Sequence, residues 1–428
     1  MKRRRALFVI SLVSLALVAL AAVTWVRAQS GLRKAEQLAG YGLWDGARQQ
    51  LKSYLWLHPR DGRARMMMAE ALVRDESLSA RDSVPLAIEH LRQIPDDSPY
   101  AAQAKTEHGR LEFLILHKPA TAEALFRQAC QLNPELGDPY YMLWKLYEVT
   151  GRAHLASDSF WKSFELTPPE QRSARLAEWY TSQFYPGTAT RALDERLGFL
   201  VDPNESLSTV EARRFLRFRE TEPTSPLGHA ALASWFRFSG KPKDALKVLE
   251  DGLRVADGAQ QDDFFNASLV GTLIDLGEFE RAEECFQQWP PAEDNYEYLL
   301  HKAIVLDEIQ NKSDEAIACY ERALVTWPGP VDWRTRHRYS NCLARLGKRS
   351  EAVAVRELAK QIEQHMEQEK HSAVREALAQ LDNPKSLDEI VEFYDRLGCQ
   401  REAEAWRGEM VRLQLRSRPR FPNPISNN

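Results

Sequence analysis

DPYYMLWKLYEVTGRAHLASDSFWKSFELTP, residues 138–168, combines three residues capable of chemistry, Asp138, His154 and Asp158, with a high density of aromatics. Spacing decides whether this is a site or a packing unit. Tyr140, Leu143, Trp144 and Tyr147 fall on one face of a helix. Gly151 can take positive φ and end that helix. Ala156 is small enough for a second helix to pack closely, Phe160 fills the space between the two, and Pro168 stops the second helix. Asp138 reads as a helix N-cap, and His154 and Asp158 lie between the packing positions of the second helix. The stretch is a self-contained helical hairpin, and no catalytic role is expected of its polar residues.

The same pattern recurs. GLWDGARQQLKSYLWLHP supplies Gly42, Ala47, Leu51 and Pro59, and ATAEALFRQACQLNP supplies Ala122, Phe126, Ala129 and Pro134. A looser copy between them carries Ala87 and Leu91. Further along come Gly240, Ala245 and Leu249; Gly277, Ala282 and Phe286; Ala316, Tyr320, Ala323 and Pro328; Gly347, Ala352 and Ala359; and Gly398 with Ala403. Ala122 and Ala156 are 34 residues apart, as are Ala282 and Ala316. A period of that length made of one supersecondary unit means a stacked array.

The signature resembles that of tetratricopeptide repeats, W-x2-L-G-x2-Y followed by A-x3-F and Pro, over most of residues 33–410. Trp144 departs from it, standing where the family prefers a small residue. The resemblance implies an all-α fold: a right-handed α-solenoid of antiparallel helical hairpins, about nine or ten of them, each burying its apolar face against its neighbours and together exposing a groove. Here that solenoid is preceded by one transmembrane helix.

The membrane expectation comes from the amino terminus. MKRRR precedes ALFVISLVSLALVALAAVTWV, residues 6–26, a run long enough at about 1.5 Å per residue to span the hydrocarbon layer. The cations before it should stay cytoplasmic, which sends the carboxyl-terminal array across a bacterial inner membrane into the periplasm. A cleaved signal peptide, with small residues around Ala28, is the competing reading. The net charge is −4, and −8 without Lys2, Arg3, Arg4 and Arg5, which argues against binding nucleic acid by phosphate neutralisation.

The expected divisions are 1–27, the basic start and anchor; 33–203, a first array; 204–225, a proline-punctuated seam; 226–410, a second array; and 411–428, a flexible basic tail. Within the second array, 355–382 carries the narrow apolar stripe of one long bridging helix. Neither a cofactor motif nor a metal site is expected, since His365 and His371 of HMEQEKH cannot share a helical face. The five cysteines form no CxxC. Cys285 and Cys319 take equivalent places in successive hairpins, too far apart for a disulfide, and should be reduced.

One polar set stands out. In tetratricopeptide domains the first helix of each hairpin lines the groove, and some members hold a partner's terminal carboxylate there with Lys, Arg and Asn. Aligning Ala316 with Ala352 puts His301 and Lys302 in one groove helix and Arg334, His337, Arg338, Asn341 and Arg345 in the next. Val305 stands where such a clamp has Asn, so the match is partial. The resemblance implies a non-catalytic membrane-tethered scaffold or adaptor that binds proteins in its groove, with a preference for acidic segments. Two alternatives are a cleaved periplasmic or secreted assembly factor and a regulatory subunit of an enzyme complex.

Overall fold

The structure, a computed structural model, describes residues 30–184, 206–366, 371–381 and 383–417. Among them every regular element is a helix and there is no strand. The alanines that the sequence places at the close approach of paired helices are buried: Ala47, Ala122, Ala245, Ala282, Ala316 and Ala403 retain no exposed surface. At Gly151 the backbone turns at φ 80°, a left-handed geometry that costs an L-residue about 1–2 kcal/mol and glycine nothing. One hairpin uses Asn311 at φ 55° for this turn, and asparagine tolerates that region because its amide bonds locally.

The chain forms two compact units. Of the described residues, the first comprises 30–116 and Thr121–Pro139. Its described helices begin at 30–40 and continue as Trp44–Leu57, Gly62–Arg74, Ala80–Arg92 and Ala101–Leu114. Leu51, Met68, Leu72, Ile88 and Leu91 fill its core around Ala47, Ala64 and Ala87. Asp61 and Ser79 cap their helices by accepting from the Ala64 and Asp82 amides. Gly109 is required by packing, since a Cβ there would lie 2.6 Å from the Phe126 ring.

The second unit comprises His117–Ala120 and the described residues from Tyr140 onward. Its hairpins pair Ala153–Glu165 with the helix ending at Thr150, Pro226–Phe238 with Pro242–Val255, Asp263–Leu276 with Phe279–Gln288, Trp333–Arg345 with Arg349–His365, and Pro384–Arg396 with Gln400–Ser417. Between them Tyr296–Ile304 continues into a π-helical turn, Val305–Ile309, before Ser313–Val325. The oversized Trp144 is fully buried, edge-on to Phe160 at 5.1 Å and to Trp179 at 5.9 Å, while Phe160 and Trp179 stack at 4.4 Å. The Trp179 ring, absent from the repeat signature, gives the extra bulk somewhere to pack.

Helix Arg172–Phe184 also packs against Gln400–Ser417. Ser173 Oγ donates to Glu409 at 2.6 Å, Trp179 Nε1 to Glu402 at 3.1 Å and Tyr394 OH to Gln183 at 2.8 Å, while Tyr180 OH and His371 Nδ1 lie 2.8 Å apart. In a simple solenoid each repeat touches only its neighbours. This unit instead returns on itself.

Several expected boundaries move. The division between units falls between residues 116 and 140, and the seam at 204–225 contains helix Leu207–Thr221, which packs against Pro226–Phe238 and continues the array. The expected bridging helix ends at His365, and a separate helix runs His371–Leu378 with His371 buried. Its stripe serves two separate helices, and His371 of the second lies against Tyr180. Helix Gln400–Ser417 occupies 411–417, assigned above to the tail, since Glu409 and Arg412 are bound to Ser173. Among the described residues no helix is long and apolar enough to cross a membrane, and the run at 6–26 lies outside them.

Candidate functional site

The groove cations singled out in the sequence are mostly engaged within the chain. Lys302 Nζ donates to Glu293 at 2.6 Å, Arg338 pairs with Glu308, and Arg345 with the buried Asp307. His337 Nε2 is 3.9 Å from Glu363, and Asn341 Oδ1 accepts from Arg356 at 3.2 Å. His301 is buried and donates from Nδ1 to the Glu297 carbonyl at 2.7 Å. Arg334 lies 4.6 Å over the Trp333 ring and has no acidic partner among the described residues. The seven residues therefore form a chain of matched pairs with one open cation.

The larger hollow lies elsewhere in the second unit. A cavity of about 730 Å³ is walled by helix Ala153–Glu165, the loops before Tyr296 and after Leu324, and the start of Gln400–Ser417. His154, Asp158 and Trp161 contribute from the first of these, Asp294 and Trp327 from the loops, and Arg401 from the last. His154 and Asp158, read from sequence as incidental positions between packing residues, thus sit in a cavity wall. A second hollow of about 370 Å³ runs along the first helices of successive hairpins, lined by Trp235, Phe238, Phe264 and Glu297. Phe238 is 81% exposed.

No family profile and no curated protein matches the sequence. Among solved structures, a tetratricopeptide repeat protein from Parabacteroides merdae ATCC 43184 is similar at 14% identity over 61% of this chain and 91% of that one, with a TM-score of 0.30. The Cut9-Hcn1 hetero-tetramer of APC/C is similar at 13% identity over 91% and 73%, TM-score 0.34, and the P58(IPK) TPR domain at 16% over 92% and 99%, TM-score 0.22. In this chain itself, buried alanine at each close approach and positive φ at the hairpin turns recur along the described residues. The fold is tetratricopeptide-like.

Within this tetratricopeptide-like array, the wall between the two hollows holds an unusual titratable set. Glu297 Oε1 lies 3.9 Å from His154 Nδ1, and its Oε2 lies 3.9 Å from His301 Nδ1. Burial pushes the Glu297 carboxyl up to about 7, against a smaller opposing pull from Arg237. Burial, helped by Arg152, lowers His154 to about 4, and burial, helped by Arg237, lowers His301 to about 3, so both rings are neutral near pH 7. Neither residue pattern nor spacing singles out Glu297. Its signal is three-dimensional, arising where residues 143 positions apart in sequence meet.

Cys285 and Cys319 are free, and burial raises both thiols, as it raises Cys342 to about 12. Among the described residues no three His, Cys, Asp or Glu side chains are grouped as a metal ion would need.

Proposed function

We propose that the protein is a non-catalytic scaffold that holds partner proteins against its second unit. One observation carries this reading. Phe238 stands 81% exposed beside Trp235 and Phe264 in the hollow along successive first helices, and solvated aromatics in a concave site are typical anchors for a protein partner. A photo-crosslinking residue at Phe238 should capture a partner that the same residue at exposed Val353 does not. Equal capture from both positions, or none from Phe238, would refute the scaffold reading.

The scaffold is tethered to the bacterial inner membrane by residues 6–26, with the array on the periplasmic side. The apolar run and the preceding cations support this, and a carboxyl-terminal topology reporter tests it: a cytoplasmic signal reverses the orientation. Cleavage after Ala28 would instead release a periplasmic assembly factor, which the mass of the amino-terminal peptide in membrane and soluble fractions decides. The preference for acidic segments narrows to Arg334, because Lys302, Arg338 and Arg345 already have carboxylate partners. Unchanged capture of acidic partners after Arg334→Glu would remove that preference.

A further inference from the structure

We propose that the cavity of about 730 Å³ in the second unit takes a cationic segment of a partner protein, a stretch bearing arginine or lysine. This rests on the scaffold reading and gives the cavity the opposite charge preference to that of Arg334.

Charge is the first argument. Asp158, Glu293, Asp294 and Glu402 line the cavity against one lining guanidinium, Arg401. Arg401 is engaged, lying 4.3 Å from the Trp161 ring and 3.7 Å from Glu165. Glu402 is turned to Trp179 and Gln183 and Glu293 to Lys302 and Arg322, which leaves Asp158 as the unpaired carboxylate. Asp158 is exposed and has no partner among the described residues, and fully exposed Asp294 lies 3.6 Å from Arg322. An anionic segment would meet repulsion here and no open cation.

His154 supplies an independent argument. Its side chain is only 6% exposed, yet it makes no hydrogen bond: its nearest ionic partner, Glu297 Oε1 at 3.9 Å, is beyond hydrogen-bonding range. Neither ring nitrogen is sealed from solvent, so a ligand in the cavity can reach both. Because burial keeps the ring neutral, one nitrogen is an acceptor, and ammonium and guanidinium groups are donors only. Trp327 and Tyr296 add aromatic surface to the same wall, and the stacking of Arg401 on Trp161 shows the geometry a guanidinium adopts there.

The test uses the full chain and short fluorescein-labelled glycine-serine peptides carrying arginine, lysine or glutamate, read by fluorescence anisotropy. The arginine peptide should bind and the glutamate peptide should not. Asp158→Asn with Asp294→Asn should weaken binding by at least about tenfold, His154→Phe should weaken it less, and Glu357→Gln, at an exposed acid outside the cavity, should leave it unchanged. Asp158 and Asp294 are exposed, so circular dichroism should show the paired variant folded. No binding of the arginine peptide, insensitivity to the paired cavity variant, or equal weakening by Glu357→Gln would overturn the proposal. Capture from Phe238 separates the two readings: if it persists while the peptides fail to discriminate, only the cationic preference falls.

Discussion

The main contacts of the first unit run between successive helices, whereas in the second unit Arg172–Phe184 is bonded to Gln400–Ser417, more than two hundred positions away. Both are built from the same hairpin. The difference lies in what fills the interfaces. The first unit is closed by Ala, Leu and Met against one another, contacts that any neighbouring repeat can satisfy. The return contact of the second unit uses buried polar pairs and large rings, Ser173 with Glu409 and Trp179 with Glu402, which only one partner can satisfy. A neighbour-only stack can open locally; a unit in which Arg172–Phe184 is joined to the last helix couples distant segments.

Trp179→Ala tests that coupling most severely. The residue is 2% exposed, stacks on Phe160, meets Trp327 at 5.6 Å and donates to Glu402, so truncation should cost about 3–5 kcal/mol in denaturant unfolding. Hydrogen exchange should quicken in both Arg172–Phe184 and Gln400–Ser417. Faster exchange in the first helix alone would mean that the return contact couples nothing.

Gly109→Ala is the matching test in the first unit. The added Cβ, 2.6 Å from the Phe126 ring, should cost about 1–3 kcal/mol. Faster exchange should stay in Ala101–Leu114 and the residues around Phe126. Spread to Trp44–Leu57 would break the picture of a neighbour-only stack.

The wall between the hollows makes the second unit sensitive to pH in two opposing ways. His154 and His301 titrate near 4 and 3 in the fold, below the ordinary 6.5, so the unfolded chain holds the extra protons. Their contribution is present above pH 6.5 and is lost as pH falls through about 4. Glu297 titrates near 7, above its ordinary 4.5, so its contribution is present below 4.5 and is lost as pH rises through about 7. His154→Gln should therefore reduce the fall in urea midpoint between pH 6.5 and 4, and Glu297→Gln should gain stability relative to the parent at pH 8. A parallel pH profile for either variant would show that its group does not titrate as the burial demands.

How much of this was legible in the sequence follows the same division. Alanine at the close approach and glycine at the turn are local requirements of one hairpin, so Ala47, Ala156, Ala316 and Gly151 could be placed from spacing alone. Trp144 read as a misfit because its compensating partner, Trp179, belongs to the helix that follows the hairpin and to no repeat pattern. The return contact left no periodic trace, since Ser173, Gln183 and Glu409 look like ordinary surface residues until the unit is folded. The basic helix Trp333–Arg345 was visible as composition, but the acids that occupy its cations, Asp307 and Glu308, lie in the π-helical turn of the preceding hairpin.

Those occupied cations give the smallest expected effect. Lys302 and Glu293 are 29% and 44% exposed, and an ion pair that open to water is worth roughly 0.2–1 kcal/mol because solvent screens it and ordering the two side chains opposes it. Lys302→Ala should shift the urea midpoint by no more than that, and less at high salt. It should also leave Glu293 freer to face the cavity, so the arginine peptide should bind the variant at least as well as the parent. A loss of several kcal/mol would place Lys302 in the closed framework with Trp179, and weaker arginine-peptide binding would mean that the lysine arranges the cavity rather than competing for its acid.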